Sequence, residues 1–576
     1  MADQQEGEKK LSKTELNKLK KKAAKEAKKA AAAAASGSSG NQQGGDVDIS
    51  AFSDICGVRP PVETKPEQGK ARVYTRVESL DEKLAGQKVW IRGRVHRVRK
   101  SSSKMCFLVI RQRWATVQVV VEEKEGEIPR DMVRWIAKLR AEAIVDLYGS
   151  VVAVTEETST SQSKVELSVS KLFLVANALE TLPLRVQDAS VPLPELEAQR
   201  AEIKDIQTKI DDATARQKEA KTDEEKAAIA KEIEVLTAAK SAAVKLADVD
   251  QSTRLDNRVI DLRTVANQAI FAIQSGVVNL FRDYLNSQGF VEIHSPKLIS
   301  TASEGGSEVF EVKYFDRKAY LAQSPQFYKQ MAISADFERV YEIGPVFRAE
   351  HSDTPRHMTE FTGLDMEMQI NEHYHEVLDV LGDLFVHIFK GIESRYPREL
   401  EAVRQQYPFR PFKFLEKTLR LEWPEAIALL REAGVTIGDL EDMNAEKERV
   451  LGRQVYNKYG TDFYIVDKFP AHIRPFYSML DPADNTFANA YDLFIRGEEV
   501  CSGAQRVHDP ELLVQRAGQK GVDPATVQDY INAFRYGAPP HGGGGVGLDR
   551  VVMLYLGLNN IRKSALFPRD PYRLTP

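Results

Sequence analysis

The chain has 576 residues, 42 % of them hydrophobic, and a formal net charge of −4, so length predicts three or four globular domains and the charge excludes a molecule-wide basic coat. The three dispersed cysteines, Cys56, Cys106 and Cys501, exclude a disulfide framework or thiolate zinc site and fit a reduced cytosolic setting. The first residues hold no apolar signal core and no run of 18 apolar residues occurs, so neither secretion nor a membrane span is predicted.

Residues 1–69 read as an extension. KKLSKTELNKLKKKAAKEAKK over 9–29 runs into the alanines Ala30 to Ala35, and SGSSGNQQGG follows as a flexible linker. This is either a solvated tail or a lysine-rich helix that holds RNA phosphates without reading sequence.

Residues 70–182 form the next unit. KVWIRGRVHRV, MCFLVIRQ, ATVQVVVE, AIVDLYGSVVAV and KVELSVSKLFLV alternate as five strands. PRDMVRWIAKLR has helical spacing between the third and fourth, which is the pattern of an OB-fold barrel. Residues 183–253 read as a hinge, and over 195–245 the composition turns charged and alanine-rich. Leu196, Ile203, Ile206 and Ile210 share one stripe. Thr222 and Glu225 are spaced as a capping box that starts a second helix carrying Ile229, Ile233 and Leu236. An inserted helical hairpin that acts as a spacer is expected.

Residues 254–576 read as an α+β enzyme domain. A long apolar helix over AIFAIQSGVVNLFRDYLNSQG leads into FVEIHSPKLI, where Pro296 interrupts a strand. Strand-like runs at 308–313, 319–322, 339–347 and 360–369 lie close together, which predicts an antiparallel sheet with helices around it. In HGGGGVGLDR, Gly542, Gly544 and Gly547 satisfy G-x-G-x-x-G. Pro539 and Pro540 precede it, and too little chain follows for a second strand with its acid, so a dinucleotide fold is rejected. A glycine-rich turn that allows close backbone approach, with Arg550 at the start of a helix, is expected.

The stretch GPVFRAEHSDTPRHMTEFTGLDME places Arg348, Glu350, Arg356, His357 and Glu360 at the mouth of a hairpin. Alone it reads as a solvated surface hairpin. Together with GLDR it supplies separated arginines for a triphosphate. FRAE with RHMTEF resembles motif 2 of the class II aminoacyl-tRNA synthetases. GLDR opening a helix resembles motif 3, and FVEIHSPKL resembles motif 1. TASEGGSEVF, AQSPQFYKQ and EEVCSGAQR narrow the resemblance to the aspartate, asparagine and lysine subclass, and within it to the eukaryotic cytosolic aspartyl type, over about 70–192 and 249–576. The 193–248 hairpin lies outside it.

The resemblance implies ATP-dependent activation of L-aspartate and its transfer to tRNA(Asp) by a Mg²⁺-using homodimer, with Pro296 at the dimer interface. Arg348, Glu499 and Arg550 would carry the chemistry. Arg348 would hold the reacting carboxylate and the α-phosphate, and Arg550 the γ-phosphate. Glu350 and Phe361 would take the adenine edge and face, and Arg356 and His357 the outer phosphates. Met358, Gly547, Leu548 and Asp549 would complete the ATP site. Ser303 and Glu304 would close over the amino acid, Gln326 and Asp365 would meet its ammonium group, and Lys329, Arg506 and Ser502 would hold the rest. Two cations suit a side-chain carboxylate rather than a neutral amide, although Lys329 alone reads as a surface lysine. Glu499, Ser502 and Asp492 would hold Mg²⁺; Asp492 equally fits a structural role. On the barrel, Phe107 would stack on an anticodon base beside Arg99, with Gln118 and Glu166 at base edges, or else lie in the core. The loop centre, His351 to Pro355, meets either the tRNA acceptor end or solvent.

Overall fold

The computed structural model describes residues 50–58, 72–301 and 309–576. The lysine-rich segment 9–29 and the pair Ser303 and Glu304 lie outside them. The chain divides into two compact units at Thr181/Leu182. Among the described residues no helix is long and apolar enough to cross a membrane.

The first unit is built on β1 (Cys56–Val58) and five longer strands, β2 (Lys88–Lys100), β3 (Met105–Gln112), β4 (Ala115–Glu122), β5 (Ile144–Ala153) and β6 (Val165–Ala176). The helix Arg130–Ile136 falls between β4 and β5, as the alternation predicted. β6 pairs with β4, in parallel, and with β5, which closes the barrel. Strict alternation fills the barrel with Ile91, Leu108, Ile110, Val117, Val119 and Leu167, all fully buried. Each such side chain contributes about 1.5–3 kcal/mol relative to exposure.

The second unit opens with the expected hairpin, Leu193–Glu219 and Asp223–Ala243. Thr222 and Glu225 form the reciprocal capping box. Ile203, Ile206, Ile210, Ile229, Ile233 and Leu236 are only half-buried, as befits two helices with no third layer over this stripe among the described residues.

The rest of the unit is an eight-stranded sheet and a small sheet of β8 (Leu298–Ile299), β9 (Glu311–Tyr314) and β10 (Arg317–Leu321). The large sheet uses β7 (Val291–Glu292), β11 (Arg339–Phe347), β12 (Glu360–Gln369), β13 (Leu419–Glu422), β14 (Phe463–Asp467), β15 (Ala490–Ile495), β16 (Glu498–Gln505) and β17 (His541–Gly547), in the order 13-14-15-16-17-12-11-7. Its interior pairings are antiparallel as expected, but both edge pairings, β13 with β14 and β7 with β11, are parallel. The helices Val265–Ser287 and His375–Arg395 pack on it around Ile273, Phe281, Leu381, Phe385 and Phe389.

One expectation is corrected. HGGGGVG is a central strand, not a turn: Gly544 pairs with Met366 on one side and Gly503 on the other. Glycine is depleted in strands because it packs nothing. Here space decides. A Cβ on Gly543 would lie 2.1 Å from the Met366 carbonyl oxygen and 2.4 Å from Glu367, and one on Gly545 would lie 2.9 Å from Asp365. The bare backbone is what lets the carboxylates of β12 and the Cys501 thiol of β16 lie beside it.

Candidate active site

β11 and β12 pair without a break from Arg339↔Met368 to Phe347↔Glu360, so the charged stretch forms the mouth of one hairpin. A cavity of about 800 Å³ opens there, lined among others by Gln326, Arg348, Glu350, Arg356, His357, Met358, Phe361, Asp365, Glu499, Ser502, Arg506, Gly547, Asp549 and Arg550. Residues spread over more than 220 positions are thus brought to one hollow.

One end is strongly cationic. The Arg348 guanidinium lies 5.7 Å from the centre of the Phe361 ring and 3.9 Å from Glu350. Arg550, on the helix Leu548–Tyr555, donates to the Glu499 carbonyl (3.0 Å) and the Arg356 carbonyl (3.3 Å). Arg356 reaches Glu448 at 3.1 Å. Burial, then the charges of Arg550, Arg356, Arg348 and Arg562, push the His357 imidazolium down to about 4. Its ring is therefore neutral at pH 7, with Nδ1 facing the Ser352 and Thr354 hydroxyls. Three of these guanidiniums, Arg348, Arg356 and Arg550, line the cavity and make a corner suited to a polyanion, whereas Arg562 is buried against Asp570.

The other end is a buried ion network. Lys329 is 1 % exposed, which overturns the surface-lysine alternative. Its Nζ lies 3.0 Å from Asp365 and 3.4 Å from Glu367. Arg506 donates to both oxygens of Glu367 and to the Gly543 carbonyl. Burial pushes the Glu367 carboxyl up, but Arg506 and Lys329 outweigh it and hold the group below the usual range. Arg506 is in turn held above its ordinary value, because Glu367 outweighs burial. Gln326 is buried and donates to Gln330.

Residues 250–571 match the family described as tRNA synthetases class II (D, K and N), and residues 89–175 match the OB-fold nucleic acid binding domain. The chain belongs to the class II tRNA synthetases of the D, K and N group. The synthetase is 47 % identical to the cytoplasmic aspartate–tRNA ligase of Caenorhabditis elegans, over all of both chains. It is 49 % identical to that of Homo sapiens, over 88 % of this chain and 92 % of the relative. Among solved structures, an aspartyl tRNA synthetase from Entamoeba histolytica superposes with a TM-score of 0.78 at 45 % identity, covering 91 % of this chain and 96 % of the other.

The carboxylates Asp492, Glu499 and Glu448 of the synthetase feel one another's charge, from the strands β15 and β16 and the helix Ala445–Tyr459. Asp492 pairs across the sheet with Ser502. Arg474 donates to both, at 2.7 and 3.0 Å. Burial raises the Asp492 carboxyl to about 6; Arg474 opposes this, and Glu499 adds to it. Its Oδ1 is buried and has no hydrogen-bond partner among the described residues. Asp549 lines the cavity but is tied to the scaffold: Gln274 and the Thr362 amide donate to it, and burial lifts it to about 6. Leu548 is a core residue, so only its backbone can meet a ligand.

On the barrel, Phe107 is half-buried on the outward face of β3, not in the core. Arg99 lies 4.7 Å above its ring. Gln118 and Glu166 are register partners on β4 and β6, joined at 3.1 Å. The four thus share the outer face of adjacent strands.

Glu367, Glu448 and Arg474 were not read from the sequence. For Glu367 a signal existed: in LDMEMQ, Asp365 and Glu367 alternate with buried Met366 and Met368, so two acids share one face of a buried strand. Arg474 and Glu448 lie in segments with no such pattern.

Proposed function

We propose that this synthetase is an aspartate–tRNA ligase that joins L-aspartate to ATP as aspartyl-adenylate and passes it to tRNA(Asp) in cytoplasmic translation. The observation that carries the choice of amino acid is Arg506, which lines the cavity while Glu367 takes its Nε and Nη2. Nη1 is left to grip a substrate carboxylate, and Lys329 behind it adds charge. A neutral amide would gain little from the pair.

An aspartate oxygen attacks the α-phosphorus, a P–O bond forms, and the bond to pyrophosphate breaks. The tRNA ribose hydroxyl then attacks the activated carbonyl and releases AMP. Catalysis here is positioning and charge neutralisation, with no protein nucleophile. Arg348 takes the reacting carboxylate and α-phosphate, with Phe361 as the floor for adenine and Glu350 at its edge. Arg356, His357 and Arg550 take the outer phosphates. Asp365 and Gln326 receive the ammonium group, and Ser303 and Glu304 belong to the same amino-acid site.

The oxygen donors Asp492, Glu499 and Ser502 fit a hard divalent ion, and the unpartnered buried Oδ1 of Asp492 is a ready ligand. Among the described residues no three His, Cys, Asp or Glu side chains enclose a metal, so Mg²⁺ would complete its shell from ATP and water. When bound it supplies charge neutralisation at the phosphates. The exposed Val291 on β7, Pro296 after it and Leu298 on β8 suit the interface of a homodimer.

Amino-acid-dependent pyrophosphate exchange with aspartate, asparagine and lysine tests the reading. Exchange with aspartate alone is expected; exchange with asparagine alone would refute it.

A further inference from the structure

We infer that Glu448 is a positioning residue for ATP: from a helix outside every motif, it orients the Arg356 guanidinium toward the outer phosphates. The inference rests on the reading of Arg356 as an outer-phosphate ligand.

The geometry is specific. Glu448 is 9 % exposed and stands 92 positions from Arg356, yet the Arg356 Nη1 donates to its Oε2 at 3.1 Å. The position is seated by backbone. A Cβ on Gly452 would lie 2.4 Å from the Gly497 Cα, and one on Gly497 would lie 2.9 Å from the Glu448 carbonyl oxygen. Gly497 has φ +78°, a left-handed conformation that glycine adopts without strain. The helix Ala445–Tyr459 is therefore locked onto the turn that begins β16, the strand carrying Glu499. Glu448 cannot drift relative to the carboxylates proposed to face the triphosphate.

A carboxylate here is costly unless it is paired. Burial raises the Glu448 acid to about 7, and Glu499 and Asp492 add repulsion. Arg356 opposes both effects without cancelling them. Arg356 is held twice: Arg550 takes its carbonyl and Glu448 takes one corner of its guanidinium. A guanidinium has five N–H donors in a rigid fork. With one corner fixed, the rest face the cavity that Arg356 lines. Ordering a long side chain before the ligand arrives removes that cost from binding.

The test is steady-state pyrophosphate exchange with Glu448→Ala, Glu448→Gln and Arg356→Ala, singly and combined. Glu448→Ala is expected to raise KM for ATP roughly three- to tenfold, the value of one pre-ordered side chain, with kcat and KM for aspartate unchanged within about twofold on the same argument. Glu448→Gln, which keeps an acceptor and the shape, is expected to recover part of the loss. In the Arg356→Ala background Glu448→Ala should add nothing. Inhibition by a non-hydrolysable aspartyl-adenylate analogue, which lacks outer phosphates, should be unchanged. Additive effects, or equal weakening of the analogue, would mean a general structural role and overturn the inference. An unchanged KM for ATP in Glu448→Ala alongside a raised one in Arg356→Ala overturns it alone. An unchanged KM in Arg356→Ala overturns the reading beneath it as well.

Discussion

Glu367 holds Arg506 two-pronged, with Nε at 2.8 Å and Nη2 at 3.2 Å, deep beneath the cavity. The same carboxylate lies 3.4 Å from Lys329. One acid thus orients both cations of the amino-acid end without lining the cavity itself. Glu367→Gln would leave Lys329 and Arg506 with Asp365 as the remaining carboxylate of the network. Removing one member of a buried pair costs about 3–5 kcal/mol. Thermal unfolding should show a clear fall in Tm, and KM for aspartate should rise more than KM for ATP. Equal rises in both would mean that the network serves the fold and not the substrate.

The glycine strand offers a comparison within one segment. A Cβ at Gly543 meets the Met366 carbonyl at 2.1 Å, whereas one at Gly547 meets only the Arg550 Cβ, at 3.7 Å. The first contact is with backbone and cannot move away; the second is ordinary van der Waals distance. Gly543→Ala is expected to lose soluble yield or adenylate formation altogether. Gly547→Ala should fold with near-normal Tm, and any loss of exchange should appear in KM for ATP, because its new Cβ meets the cavity and not the scaffold. Reversed outcomes would place the tight approach at the wrong glycine.

His357 makes a pH prediction with a definite sign. Its folded value is about 4, below its ordinary 6.5. Between these values the unfolded chain binds the extra proton and the folded protein does not. The unfolded state is then favoured as pH falls, so the contribution of His357 turns destabilising from about 6.5 down to about 4. His357→Gln should therefore lose less Tm than wild type between pH 7 and pH 5. Parallel Tm–pH curves for the two proteins would show that the ring is not held neutral.

What could be read in advance follows from which forces are local. Alternation within β3, β4 and β12 and the capping box at Thr222 are set by neighbours in the chain, so the barrel strands and the hairpin were legible. The β12 acids are half legible: Asp365 falls within the family motif, while its i+2 partner Glu367 is marked only by the alternation of the strand. HGGGGVG was misjudged because propensity speaks against a glycine strand, and only the side chains of Asp365, Glu367 and Cys501, from two other strands, explain it. Glu448 and Arg474 act on partners far away in sequence, Arg356 and Asp492, and no local pattern marks them.

Phe107 allows the two activities to be separated. Its ring lies half-exposed on the outer face of β3 with the Arg99 guanidinium 4.7 Å above it. It belongs to the first compact unit, whereas the cavity with Arg348 and Arg506 belongs to the second. Stacking one base is worth about 1–3 kcal/mol, so Phe107→Ala should weaken tRNA charging roughly 5- to 150-fold on that scale. Because the ring lies outside the barrel core, the barrel itself should keep its stability. Pyrophosphate exchange, which needs only aspartate and ATP, should stay at the wild-type rate. Arg99→Ala should show the same split to a smaller degree, as loss of a charge near the strand rather than of the platform. Measured side by side, equal losses in charging and exchange would move Phe107 from recognition to folding.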